Sequence, residues 1–272
     1  VSGETRYRLD LAYVGTGFHG WQSQTSGFGI QDHLEKALAT WLRHPVRVTA
    51  AARTDTGVHA QHQVVVFETS VVFDPSRLHL GINGLLPTGV RVTKVAVAPR
   101  DFHPILSSSG KAYRYRIWTG KWLDPFLTGF VWHLHHELDV VSMGAAAGLL
   151  TGTHDFSSFC ASDSSAKTKV RTIHDIHIDA RGSLIDVWVV GEGFLKQMVR
   201  NIVGTLVLVG QGKKSPAELT EILAARDRKR AGQTAPAQGL ALVKIFYDHI
   251  ATVVELQAEQ QRGFAQALVG QT

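Results

Sequence analysis

Tyr7-Arg-Leu-Asp-Leu-Ala-Tyr13 places Tyr7, Leu9, Leu11 and Tyr13 on one side of an extended chain, the period-two alternation of a strand with one buried face. Downstream, Ile30, Leu34, Ala37, Leu38, Trp41 and Leu42 recur at three- and four-residue spacing and predict an amphipathic helix. Strands are expected at Val46–Ala52, Val64–Glu68 and Val90–Val97, with a helix near Pro75–Leu86. A polar loop, Arg53-Thr-Asp-Thr-Gly-Val-His59, lies between the second and third strands, with Gly57 permitting a tight turn. The second half repeats this grammar: strand Lys111–Thr119, helix Val140–Leu150, strands Val170–Asp179 and Leu184–Val190, helices near Leu195–Val209 and Pro216–Ala225, strand Leu240–Phe246. No fixed-period repeat occurs, which excludes a solenoid. The reading is α+β in two similar halves, 1–105 and 106–248, joined around 99–110 where Pro99, Pro104 and Ser107-Ser-Ser-Gly110 break the pattern. Residues 161–169 read as a mobile surface loop. The tail, 249–272, is expected either to fray or to form a helix with Ile250, Val253, Val254, Phe264 and Leu268 inward.

Composition sets the class. Of 272 residues, 44% are hydrophobic and 19% charged, which excludes wholesale disorder. The longest apolar candidate for a membrane span, Met198–Val209, is broken by Arg200, Asn201, Gly204 and Thr205. One cysteine, Cys160, excludes an intramolecular disulfide and a thiolate zinc cage. With no secretory pattern at Val1-Ser-Gly-Glu-Thr5, a cytoplasmic setting is expected, or an organelle if a transit peptide preceded Val1. The net charge of +5 is concentrated in 106–248, which carry 17 basic and 13 acidic residues. The basic clusters are Lys111/Arg114/Arg116, Lys167/Lys169/Arg171, Lys213/Lys214 and Arg226/Arg228/Lys229/Arg230. They suit a nucleic-acid partner, with a set of solvated faces as the alternative.

Three motifs mislead. Gly15-Thr-Gly17-Phe-His-Gly20 matches a dinucleotide fingerprint, but the next helix starts only near Ile30 and Thr40 stands where the ribose-binding acid belongs. Gly210-Gln-Gly-Lys-Lys-Ser215 is similar to a phosphate loop, yet Val207 replaces its first glycine. His133-Leu-His135-His136-Glu137 has nothing at ligand spacing to complete a metal site, and surface histidines account for it.

Four segments carry chemistry. In the 53–59 loop a guanidinium two residues from Asp55 favours the ionised carboxylate that a nucleophile requires; a turn aspartate held for structure is the alternative. Lys111-Ala-Tyr113-Arg114-Tyr115-Arg116 alternates aromatic and cationic faces, suited to stacking a base and meeting phosphates, or to a core strand with a charged exterior. Arg200 enters an apolar helix and needs a partner, because an unpaired buried charge is costly. Ala231-Gly-Gln-Thr-Ala-Pro-Ala-Gln-Gly239-Leu240 is a small-residue loop that permits close backbone approach.

Eight ordered segments across residues 7–247 resemble the TruA family of tRNA pseudouridine synthases. They are Tyr13-Val-Gly-Thr-Gly-Phe-His-Gly-Trp-Gln22, Ile30-Gln31, Ala52-Arg-Thr-Asp-Thr-Gly-Val-His59, Phe102-His103, Lys111-Ala-Tyr-Arg-Tyr115, Gly152-Thr-His-Asp-Phe-Ser-Ser-Phe159, Met198-Val-Arg-Asn201 and Thr234-Ala-Pro-Ala-Gln-Gly-Leu240. The resemblance implies the pseudouridine synthase fold, in which a central, mainly antiparallel sheet runs through both halves with helices packed on it. It implies that Asp55 is the catalytic aspartate, Arg53 its loop companion, Tyr113 the aromatic on the target base, and Arg200 the cation paired with Asp55. Leu240 would line the pocket, and Lys111 and Arg114 would contact the RNA. The implied reaction isomerises uridine to pseudouridine in the tRNA anticodon stem-loop, at positions 38, 39 and 40, by a homodimer with no metal and no organic cofactor. This sequence departs from the family at Ala52, where glycine is usual, at Pro104-Ile105, where an alanine and an arginine are usual, and at Lys196-Gln197, where a histidine is common.

Such an isomerisation breaks N1–C1′, turns the uracil, and joins C5 to C1′ before C5 loses its proton, a step for which the Tyr113 hydroxyl is one candidate. Two other readings compete. One is a non-catalytic tRNA-binding chaperone on the same fold. The other is a carboxylate-pair nucleoside hydrolase needing a second acid near Asp55, for which Asp101 and Asp155 are the candidates.

Overall fold

The computed structural model describes the backbone of residues 3–269 and the side chains of residues 3–262. The elements run β1 (Thr5–Tyr13), α1 (Ile30–Leu42), β2 (Thr49–Ala50), β3 (His59–Thr69), α2 (Pro75–Asn83), β4 (Val90–Val97), β5 (Gly110–Trp118), β6 (Trp132–His133) and α3 (Val140–Gly148). They continue β7 (Gly152–Asp155), β8 (Val170–Arg181), β9 (Leu184–Gly191), α4 (Met198–Gly210), α5 (Glu218–Ala225), β10 (Leu240–Phe246) and α6 (Val253–Val269). All ten strands join one sheet in the order β4-β1-β3-β10-β5-β9-β8-β7, with β2 on β3 and β6 on β5. Only β10–β3 and β5–β6 pair in parallel; the other pairs are antiparallel, as expected.

The period-two pattern sorts the two faces. Tyr7, Leu9, Leu11 and Tyr13 of β1 share one core with Tyr113, Tyr115 and Ile117 of β5 and with the apolar stripes of α1 to α5. The opposite face holds a smaller core in which Ala112, Trp188, Val190, Val243 and Phe246 pack against Val253 and Leu256 of α6. Burial of this much aliphatic and aromatic surface, at roughly 25 cal/mol per Å², holds the helices to the sheet.

Several boundaries differ from the sequence reading. The Val46–Ala52 strand shrinks to Thr49–Ala50. Conversely β3 starts at His59, because His59, His62 and Gln63 turn their polar side chains to internal partners rather than to water. Helix α4 begins at Met198, after Gln197 takes a left-handed backbone (φ 60°) that interrupts any earlier start. The tail forms α6, with Val253 and Leu256 buried, Ile250 packed beside them and Val254 turned outward. The side chains of Phe264 and Leu268 lie outside the described residues. Among the described residues no helix is long and apolar enough to cross a membrane.

Candidate active site

A cleft of about 990 Å³ opens between the 53–55 loop on one side and the segment leading into α4 on the other. Tyr113 and Leu240, on adjacent strands, contribute to its wall. It contains Arg53, Asp55, Lys111, Tyr113, Arg200 and Leu240. Six of the seven residues expected from the sequence therefore come together.

The seventh, Arg114, does not. Strand alternation turns it to the opposite face, where it is buried against the Trp188 ring and its Nη1 donates to Gln260 of α6 at 2.8 Å. Arg116 also faces that way and pairs with Asp186, which is fully buried and also bound by Arg181. Of the basic clusters, Arg226 meets Asp155 and Arg228 donates to the Gly232 carbonyl, Asn201 and Thr234. Arg114, Arg116 and Arg228 are thus engaged by partners within the fold, while Arg226 makes an exposed ion pair.

The Asp55 loop is gripped from all sides. The buried Gln63 amide donates to the Ala52 carbonyl at 2.7 Å and accepts from the Ala52 N–H at 3.2 Å. Tyr13 and Thr54 share a hydroxyl hydrogen bond of 2.8 Å, and the Trp21 N–H donates to the Thr54 carbonyl at 3.0 Å. Burial pushes the Tyr13 hydroxyl up to about 12, so it stays a neutral hydrogen-bonding group. Gly20, at φ 79°, lies so close that a Cβ there would stand 2.7 Å from the Thr54 carbonyl oxygen. The Gly15-to-Gly20 stretch thus packs against the 53–59 loop, which accounts for Gly15 and Gly20 without any nucleotide.

His59 closes the loop. Its Nδ1 accepts from the Gly15 N–H at 3.0 Å, so its Nε2–H faces the carbonyls of Gly129 and Gln238, each at 3.0 Å. Burial lowers its proton affinity, partly offset by those two carbonyls. The sequence placed His59 at the end of the loop without a role; its place as a clamp between three segments could be seen only in three dimensions.

Across the cleft, Arg200 Nη1 donates to Asp55 Oδ2 at 2.9 Å, with both side chains largely shielded. Its Nε donates to the Ala235 carbonyl at 2.8 Å, and the Ala235 N–H donates back to the Arg200 carbonyl at 3.1 Å. The 231–239 loop therefore seats the arginine rather than the ligand. Asn201 fastens the same corner, donating to the Phe159 carbonyl and accepting from Thr234 and Arg228.

Tyr113 is buried, with Phe194 edge-on at 5.1 Å and 80°. Burial, reinforced by Tyr13 and by the Asp55 charge, pushes its hydroxyl well above the ordinary phenol range. The neutral phenol is the species in the cleft, which favours ring packing over service as a resting base. Lys111 is pulled below the usual lysine value by burial and by Arg171, another cation lining the cleft. The acids lining the cleft are Asp55 and Asp163; Asp101 and Asp155 do not line it. Asp163 was not anticipated from the sequence.

The chain is similar to known proteins over most of its length. Residues 146–248 match the family described as tRNA pseudouridine synthase. The chain is 45% identical over 236 residues to tRNA pseudouridine synthase A of Halalkalibacterium halodurans, spanning 86% of this chain and 90% of that one. It is 41% identical over 240 residues to tRNA pseudouridine synthase A of Acetivibrio thermocellus, spanning 88% and 98%. Identity to tRNA pseudouridine synthase A of Myxococcus xanthus is 43% over 243 residues, spanning 89% and 92%.

Proposed function

Since the chain belongs to the TruA family of tRNA pseudouridine synthases, isomerases that convert uridine to pseudouridine in tRNA, we propose that Asp55 is its catalytic aspartate. We further propose that its target uridines lie in the anticodon stem-loop, at positions 38, 39 and 40, and that it acts as a homodimer with one tRNA across both subunits. The observation that carries the site assignment is the 2.9 Å contact between Arg200 and Asp55 in a cleft walled by Tyr113.

Substrate and product are isomers, so atoms and electrons balance within the nucleotide: N1–C1′ breaks, C5–C1′ forms, C5 gives up a proton and N1 takes one. The Asp55 carboxylate supports cleavage at C1′, and Arg200 keeps it aimed into the cleft. The Tyr113 ring holds the detached uracil while it turns, a stacking contribution of about 1–3 kcal/mol. A uridine paired in a stem must first leave the helix, at a cost of a few kcal/mol. Phosphate contacts at Lys111, Arg53 and Arg171 offset that cost.

Release of tritium from uridine C5 of labelled tRNA tests the reading. Wild-type protein releases label to water; Asp55→Asn releases none while its tRNA affinity stays within a few fold. Near wild-type release by Asp55→Asn overturns the assignment.

A further inference from the structure

Lys196 and Asp163 face each other across the mouth of the same cleft. Lys196 Nζ meets Asp163 Oδ2 at 2.6 Å. Lys196 lies on the turn that joins Phe194, edge-on to Tyr113, to the first turn of α4 and Arg200. The turn is stiff: Gln197 holds its left-handed backbone, and the Lys196 carbonyl accepts from the Ala161 N–H at 3.0 Å. The ammonium therefore projects from a fixed base, and the charge of Asp55 reaches it along with that of Asp163.

Apart from this pair, the charged groups lining the cleft are Asp55 and four cations. Arg53, Lys111, Arg171 and Arg200 stand around Asp55, and Arg200 is committed to that carboxylate. Asp163 is the acid that a polyanion would meet in this lining without a catalytic reason for its presence. Both Lys196 and Asp163 keep much of their side chains in water, and an ion pair so placed is held weakly and screened by salt. A phosphate oxygen carries the same charge as the carboxylate and can take its place.

We propose that Lys196 is a phosphate-binding residue of the tRNA cleft, covered in the free protein by Asp163, which the tRNA backbone displaces. The inference rests on the reading that tRNA enters this cleft. It makes Asp163 a competitor for the substrate's own binding group, so that removing a negative charge strengthens binding only while Lys196 is present.

The experiment is equilibrium binding of a full-length tRNA transcript to the intact protein at several salt concentrations. The proteins compared are wild type, Asp163→Asn, Lys196→Gln, the double variant and Lys111→Gln. Asp163→Asn is expected to lower Kd several-fold and Lys196→Gln to raise it several-fold. Lys196→Gln should also reduce the slope of log K against log salt by nearly one. The double variant should match Lys196→Gln. An Asp163→Asn variant that binds no tighter, or that gains equally with and without Lys196, overturns the proposal. If Lys111→Gln weakens binding while both changes at the mouth are silent, the cleft stands and the Lys196 assignment falls. If all three are silent, the cleft reading falls with it.

Discussion

Arg200 and Asp55, separated by 145 residues of chain, are joined at 2.9 Å, and the same guanidinium holds the Ala235 carbonyl at 2.8 Å. One planar fork thus ties the acid to the loop that seats the arginine. Lysine offers a point charge without that fork. Arg200→Lys is expected to lower kcat/KM about 10- to 100-fold, the worth of a charge-assisted hydrogen bond of about 1.5–3 kcal/mol. Arg200→Gln should cost more, with tRNA Kd within a few fold in both. Single-turnover tritium release measures this, and wild-type turnover by Arg200→Gln would remove the arginine from the mechanism.

Tyr113 offers a ring and a hydroxyl, and two substitutions separate them. Tyr113→Phe keeps the edge-on contact with Phe194, so tRNA affinity should hold and any loss should fall on turnover. Tyr113→Leu should lose a further 10-fold or more as stacking disappears, about 1–3 kcal/mol. Because burial keeps the phenol neutral, the pH–rate profile of the wild type should show no inflection near 10. Equal activities of the Phe and Leu variants would contradict a stacking role.

These residues were legible in the sequence to very different degrees. Ile30–Leu42 forms as its pattern predicts because it presents one apolar face to the core, and Leu240–Phe246 because its apolar residues fill the cores on both faces of the sheet. The need of Arg200 for a partner followed from burial alone, although only the motif resemblance pointed to Asp55. Arg114 shows the limit. Alternation in β5 sets it opposite Tyr113, but it cannot say that α6 will cover that face and bury the cation against Trp188. The supports from Gln63 and Tyr13 were also hidden, since their partners lie on other segments and no period in the chain marks them.

Gly17 and Gly20 both have positive φ, at 87° and 79°, yet they should respond differently to alanine. A Cβ on Gly17 meets nothing within 4 Å, so Gly17→Ala incurs only left-handed strain, about 1–2 kcal/mol. A Cβ on Gly20 would press on the Thr54 carbonyl at 2.7 Å and the Thr56 nitrogen at 3.0 Å. Gly20→Ala must therefore move the Asp55 loop. Turnover at a temperature where both variants are folded should fall at least 10-fold more for Gly20→Ala, as small misplacements of reacting groups are costly. Equal activities would mean that the loop tolerates the shift.

His59 ties that loop to stability at mild acid. Burial sets its folded-state proton affinity below the ordinary histidine value of 6.5, with the Gln238 and Gly129 carbonyls opposing the shift, and protonation at Nδ1 would break the bond from the Gly15 N–H. The unfolded chain therefore takes up the proton first as pH falls. The histidine's contribution is fully present above about pH 7 and is lost progressively as pH drops through 6.5 toward the folded-state value. His59→Phe leaves the Gly15 N–H unpaired and should cost about 1–3 kcal/mol at pH 8. By pH 5 the wild type has itself surrendered part of this contribution, so the gap between the two proteins should narrow. Urea unfolding at pH 8, 7, 6 and 5 gives that difference directly, with the other histidines cancelling between the proteins. A gap that stays constant across the series would mean that His59 does not titrate as a buried imidazole bonded at both ring nitrogens requires.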